Sequence, residues 1–371
     1  MLERISLNQL GSMIVLFLIG SSSLFLLASD AGKDAWLAVF IGMLGGLVLL
    51  WGVNLMIFRN APRSNLIEVI NDHFGKWLGF VFSLSYVIYF CYKSIRNVRE
   101  FGDLINMVLL PNTPISAIML IVCGMAAYTV FSGVNVFFRM AEFILPIVIG
   151  IYVLLFLIMA GAGLLHLENV LPVLDEGIKP VLKAAFPGLI SFPFGELVLF
   201  LMYWKYAEQD GGMIRVTMKC YIFSGLFITL TNLLLLSGLG KLGAVVTIPF
   251  LHITKFIQVA KFLERIDPLV ALLLFTGVYF KLTAYFMGAV LALRYLMKIP
   301  ERYAVPLIGC VIFFGSFLFR NYMEQVSFGF QFNLKYHFPI FQIAFPLLLL
   351  IAVVIKKRWN EKVHANEQSE Q

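Results

Sequence analysis

Charge is scarce in this sequence: Asp, Glu, Lys and Arg make up only 13% of its 371 residues, against about 25% in soluble globular chains. With 60% hydrophobic residues, too few polar side chains remain to cover a water-facing surface. That shortage excludes a soluble enzyme, a disordered chain and a nucleic-acid-binding domain. Cysteine is sparse too. Cys91, Cys123, Cys220 and Cys310 stand singly in or beside apolar stretches, without metal-ligand or redox spacing, and are expected to be free, buried thiols. The five histidines (His73, His166, His252, His337, His364) form no HExxH or other paired-ligand spacing. Neither a Walker nor a GxSxG motif occurs, so the residues indicate no enzyme, no metal site and no cofactor.

What is abundant is long apolar runs. Crossing a hydrocarbon core of about 30 Å takes roughly 20 residues of helix, and ten runs of about that length occur. They fall at 8–28, 35–58, 77–99, 114–131, 138–160, 184–204, 214–238, 268–293, 303–320 and 338–355. Backbone amides in hydrocarbon must be satisfied within the segment or in a closed barrel, and these runs lack the alternation of barrel strands. The expected fold is therefore an all-α integral membrane protein with ten transmembrane helices. Trp36, Trp77, Trp204 and Trp359 stand at run ends, where an amphipathic ring favours the headgroup zone. The first run has no small-x-small cleavage site and nine more follow it, so it is expected to stay in the mature chain.

An even number of spans puts both termini on one side, and Lys356-Lys357-Arg358 marks that side as cytoplasmic. The bias is small: 15 Lys and Arg inside against 12 outside, with Lys281 within a span. The longest polar connections, 166–183 and 241–267, then lie outside. The whole chain, 1–371, reads as one transporter-like domain: a first repeat at about 8–160, a second at about 184–355, and a polar tail at 356–371.

Two spans are interrupted. Span 1 carries Gly20-Ser21-Ser22-Ser23, and span 6 carries Pro187-Gly188 and then Ser191-Phe192-Pro193-Phe194-Gly195-Glu196. Proline removes a backbone donor and glycine permits non-helical geometry, so the helix is expected to break there. In a division into five plus five, these are the first spans of each half. Broken helices at matching positions of two inverted repeats point to a binding site near the membrane midplane; plain packing kinks are the alternative.

Two ionisable residues lie deep. Lys281 is 13 residues from both Pro268 and Arg294, and Glu196 is nine from both Pro187 and Lys205. At 1.5 Å per residue these depths are about 20 and 13 Å, too far for a lysine stem to reach water. Charges at such depth face a bundle interior and pair, so both residues are expected at one cavity, with direct pairing left open. Tyr285 follows Lys281 by one helical turn, and Tyr89, Lys93 and Arg96 form a stripe on span 3. These stripes either line the cavity or merely pack, with Lys93 to Asp103 as the solvated end of a long helix. Arg139 and Glu142 are expected to form a local ion pair.

The stretch Ser191 to Glu196 running into Leu197 to Met202, and Glu264-Arg265-Ile266-Asp267-Pro268-Leu269-Val270 leading to Phe280-Lys281, resemble signature stretches of the B subunit of bacterial spore germinant receptors. Leu171 to Pro180 is similar to that family's external loop. The resemblance covers nearly the whole chain. It implies membership of the amino-acid, polyamine and organocation transporter superfamily, and hence the ten-helix inverted-repeat fold. It further implies nutrient sensing, of an amino acid for example, in the inner membrane of the dormant spore, beside an A-type subunit and a lipoprotein C-type subunit. The ligand pocket it implies comprises Gly20, Ser21 and Ser22; Tyr89 and Lys93; Phe192, Pro193, Phe194, Gly195 and Glu196; and Phe280, Lys281 and Tyr285. One departure stands out: where transporters of the superfamily carry Gly-x-Gly in span 1, this chain has Gly20-Ser21-Ser22. A permease driven by a proton or sodium gradient is the alternative on the same fold.

Overall fold

The computed structural model describes residues 4–208, 211–244, 246, 248–254 and 267–369. Among them nine helical segments are long and apolar enough to cross a membrane: Leu7–Leu24, Ser29–Asn60, Leu66–Val108, Val134–Gly161, Ile178–Met202, Met213–Leu239, Pro268–Met297, Glu301–Leu318 and Tyr322–Trp359. A shorter apolar helix, Ile115–Phe131, stands between the third and the next. Counted with it they are spans 1 to 10, in the order expected. No β-strand is present among the described residues, only an isolated bridge between Ile5 and Ala207. The signature stretch Glu264-Arg265-Ile266 lies outside the described residues.

Local chemistry sets the boundaries. Ser6 and Gln9 close a capping box at the start of span 1, and Asn65 and Glu68 do the same for span 3, each satisfying two amides that would otherwise lack partners. Span 3 begins earlier than its apolar run because residues 66–74 form a first section that mixes buried apolar residues with polar ones. Gly75, at φ 72°, turns the chain there, a backbone conformation few other residues adopt without strain. The helix then runs to Val108, well past the last apolar residue expected.

The packing has an internal two-fold pattern. Span 1 packs on spans 5 and 7, while span 6 packs on spans 10 and 2; span 3 packs on spans 4, 9 and 10, while span 8 packs on spans 9, 4 and 5. Exchanging each span for the one five positions along leaves this set unchanged. Since five is odd, the second set enters the membrane from the opposite side, and the fold is a 5+5 inverted repeat. Spans 3 and 8, which correspond to each other, make the most extensive contact and form the centre of the bundle.

The two broken spans correspond as well. Span 1 is α-helical only to Ile19, turns at Gly20 and Ser21, and resumes as a short 3-10 turn at Ser22–Leu24. Span 6 widens at Ala185–Leu189, turns at Phe192 and Pro193, and continues as a 3-10 helix over Phe194–Met202. Gly20 touches Gly277 of span 8 backbone to backbone, a contact that leaves no room for a side chain on either.

Each face of the bundle is fastened differently. On one, the connection after span 5 is tied down: Lys33 donates to the Leu171 carbonyl (2.8 Å) and the Leu174 amide to Asp34 (2.9 Å). On the other, Ile5 exchanges backbone hydrogen bonds with Tyr206 (2.8 Å) and Glu208 (3.1 Å), and Lys205 pairs with Glu68 at 2.6 Å.

Several expectations need correction. Trp204, at the end of span 6, is buried within the protein, edge-on against Phe58 at 5.8 Å, rather than turned outward like Trp77 and Trp359. Only Cys91 and Cys123 are buried; Cys220 is half-buried, and Cys310 is exposed on the outer surface of span 9. Arg139 and Glu142 make no ion pair within 4.0 Å. Residues 238–243 have the GxGxxG spacing, but they end a helix rather than follow a strand, the wrong context for a dinucleotide turn.

Candidate functional site

Four elements meet at one buried carboxylate. Glu196, 1% exposed, stands in the first turn after the break of span 6. Its Oε1 accepts from Lys93 Nζ on span 3 and from Tyr285 OH on span 8 (3.2 Å), and its Oε2 accepts from Lys281 Nζ on span 8 at 2.8 Å. Lys281 donates in addition to Ser22 Oγ on span 1 at 3.1 Å. The direct pairing left open by the sequence is therefore present, and Lys93 joins it as a second cation. Lys93 and Lys281 are 5% and 1% exposed, so two amines and one carboxylate are held together largely shielded from solvent. Such a group persists in a low-dielectric interior only when each member is hydrogen-bonded. Aromatic faces supply the remainder: Lys93 lies 4.0 Å from the ring centre of Phe338 and Lys281 4.4 Å from that of Phe192.

Above this floor a cavity of about 440 Å³ rises between spans 1, 3, 6 and 10 toward Asp30 and Lys183, on the face that carries the tied-down connection. Ser21, Lys93, Phe192, Glu196 and Lys281 line it, and Ser22 and Tyr285 belong to the ion network beneath. Of the remaining residues of the expected pocket, Tyr89 borders the network, edge-on to Tyr285 at 6.4 Å, and the others point elsewhere. Phe280 stacks on Phe137 of span 5 at 5.6 Å, and Phe194 packs on Tyr221 of span 7 at 5.7 Å. Tyr89 stacks on Phe341 at 4.5 Å and accepts from Gln342 Nε2 at 2.8 Å. Gly20 meets Gly277, while Gly195 approaches the Ile190 carbonyl and Gln342 so closely that a Cβ would lie 2.6 and 2.8 Å from their oxygens. Pro193 forms the turn itself.

The sequence reading overlooked span 10 as a contributor. Its first half is irregular, with wide helical turns at Gly329–His337 and Ile340–Ala344, and it supplies Phe338 and Gln342 to the site. Asn333, Pro339 and Gln342 within an aromatic run were the available signal, of which Asn333 fell outside the apolar run expected at 338–355. Nor is the far end of span 3 solvated. Arg99, 6% exposed, donates to the carbonyls of Phe319 (2.7 Å) and Arg320 (2.9 Å) and pairs with Asp103 at 2.8 Å, which fastens the turn between spans 9 and 10. Among the described residues no group of three or more His, Cys, Asp or Glu could hold a metal ion.

Two broken spans around a buried ion network, at the foot of a cavity open to one face, define a membrane protein of the receptor or transporter type. The fold is that of a solved nucleobase-cation-symport-1 family transporter, Mhp1, in a closed conformation with bromovinylhydantoin bound; the TM-score is 0.60 over 97% of this chain and 94% of that one, at 13% identity. Residues 4–325 match the family model described as "Spore germination protein", and the chain belongs to that family. It is 32% identical to spore germination protein KB of Bacillus subtilis (strain 168) over 98% of both chains. Spore germination protein A2 of the same organism is 23% identical over 89% of this chain and 88% of its own length, and GerQB of Bacillus cereus is 21% identical over 79% and 80%.

Proposed function

We propose that this protein is the nutrient-sensing membrane subunit of a spore germinant receptor. It binds a small germinant, an amino acid, in the cavity above Glu196, and passes the resulting change to an A-type and a lipoprotein C-type subunit in the inner membrane of the spore. The chain acts as one unit, with repeats at about 8–160 and 184–355. The observation that carries this reading is the ion network itself: Lys93, Glu196, Lys281 and Ser22 come from spans 3, 6, 8 and 1 and tie both broken helices to the central pair. A ligand seated on that network contacts both repeats at once, and it shifts their arrangement by its differential affinity for the two states.

A permease is the second reading, favoured by the likeness to a cation symporter. Uptake separates the two. In liposomes, the purified protein is expected to bind labelled amino acids saturably without accumulating them under a proton or sodium gradient. Gradient-driven accumulation would establish the permease instead.

Orientation has its own test. Both termini are assigned to the cytoplasm, so single cysteines at Asp175 and Arg358 in a cysteine-free background are expected to react oppositely with an impermeant maleimide. Labelling of both or of neither would rule out this topology.

A further inference from the structure

The charges at the floor of the cavity are already committed to one another. Glu196 takes three donors, and Lys281 bonds both Glu196 and Ser22. A ligand that recruited them would first have to break a buried network. One and two helical turns further along span 3, Arg96 and Glu100 also line the cavity, and both are half-buried. Neither is so committed. Arg96 has no carboxylate within 4.0 Å; its Nη2 reaches only the Gln325 carbonyl, at 3.4 Å, and its Nε is buried without a partner. Glu100 has no hydrogen-bond or ion-pair partner among the described residues. The remaining charged lining residues, Asp30, Lys183 and Lys335, are exposed at the mouth.

An arginine and a glutamate four residues apart on one helix face lie about 6 Å apart along its axis and ordinarily pair with each other. Here they face one cavity unpaired, offering a positive and a negative group to whatever enters. We infer that Arg96 and Glu100 read the two charges of a zwitterion: Arg96 takes the carboxylate of an α-amino acid, and Glu100 its ammonium. This deepens the proposed function and rests on it. It places recognition above the Lys93–Glu196–Lys281 floor, which stays intact when the ligand binds. Arg96 suits the task because its planar fork presents two parallel donors to a carboxylate.

The test uses the full chain in lipid vesicles and four radiolabelled probes: L-alanine, its two halves propionate and ethylamine, and D-glucose. L-alanine is expected to bind at least about 10-fold more tightly than either half, since a charge-assisted hydrogen bond is lost with each. Glu100→Gln should weaken L-alanine about 10- to 100-fold while leaving propionate unchanged, and Arg96→Gln should weaken L-alanine similarly while leaving ethylamine unchanged. Should a neutral variant fail to fold, the ranking of the probes on the native chain and the retention of L-alanine binding by Glu100→Asp decide the matter. Equal binding of propionate and L-alanine by the native chain, or unchanged L-alanine binding by Glu100→Gln, overturns the inference. Saturable glucose binding without L-alanine binding overturns it and leaves the receptor reading standing, whereas binding of none of the four overturns both.

Discussion

Glu196→Gln is expected to abolish the ligand response and to lower the stability of the protein more than any other single neutralisation. The substitution keeps the shape of the side chain and removes the one negative charge that two buried ammonium groups share. Breaking a buried pair costs about 3–5 kcal/mol because the surviving partner is left uncompensated, and here two partners survive. Lys281→Met leaves Glu196 with Lys93 and Tyr285, so its effect is expected to be smaller. The double variant should be milder than the sum of the two, with a coupling energy of about 0.5–3 kcal/mol. Thermal unfolding of the detergent-solubilised variants, followed by tryptophan fluorescence, measures the cycle. Strict additivity at normal membrane levels would mean that the contact contributes nothing.

Gly277→Ala is expected to have the next largest effect. The added methyl group would fall on the backbone of Gly20, where no rotamer change can relieve the contact, so spans 1 and 8 must separate. Overpacking of this kind costs about 1–3 kcal/mol, and the upper end applies because both sides are main chain. The separation would also pull Ser22 away from Lys281, so ligand binding should weaken along with stability. Gly124→Ala, at a glycine with open space around it, is the control and should leave both unfolding and binding unchanged. Equal behaviour of the two alanine variants would show that spans 1 and 8 have slack at this point.

The scaffold was legible in the sequence because hydrocarbon allows so few solutions: an apolar run of sufficient length has to be a helix, and all ten runs became spans. The breaks were legible because Gly20 and Pro193 act locally. Side-chain direction was harder to read. Phe280 and Phe194 sit beside functional residues in sequence, yet helical rotation turns them toward spans 5 and 7. Glu196 and Lys281 could be placed in the interior by the cost of charge at depth, whereas Lys93 was ambiguous because span 3 has no hydropathy boundary between its buried and its solvated charges. Phe338 and Gln342 escaped notice because their helix is too irregular for periodicity to assign a face. Trp204 stands at the run end that composition gave it, but its ring turns inward onto Phe58, a direction composition does not encode.

The fastening beside Ile5 bears on how steeply a single chain can respond. The polar contacts there include two backbone hydrogen bonds and the Lys205–Glu68 pair. Each contributes about 0.5–1.5 kcal/mol or less, beside the burial of Ile5 and Ala207. A conformer only a few kcal/mol above the ground state is in general a minor population of roughly 0.1–10%. Moving such an equilibrium from 1:99 to 99:1 takes about 10⁴-fold differential affinity, a large demand on a solute small enough for a 440 Å³ cavity. If the chain acts as the proposed receptor, a ligand with a smaller differential affinity shifts it only in part, and the response of a single chain is graded.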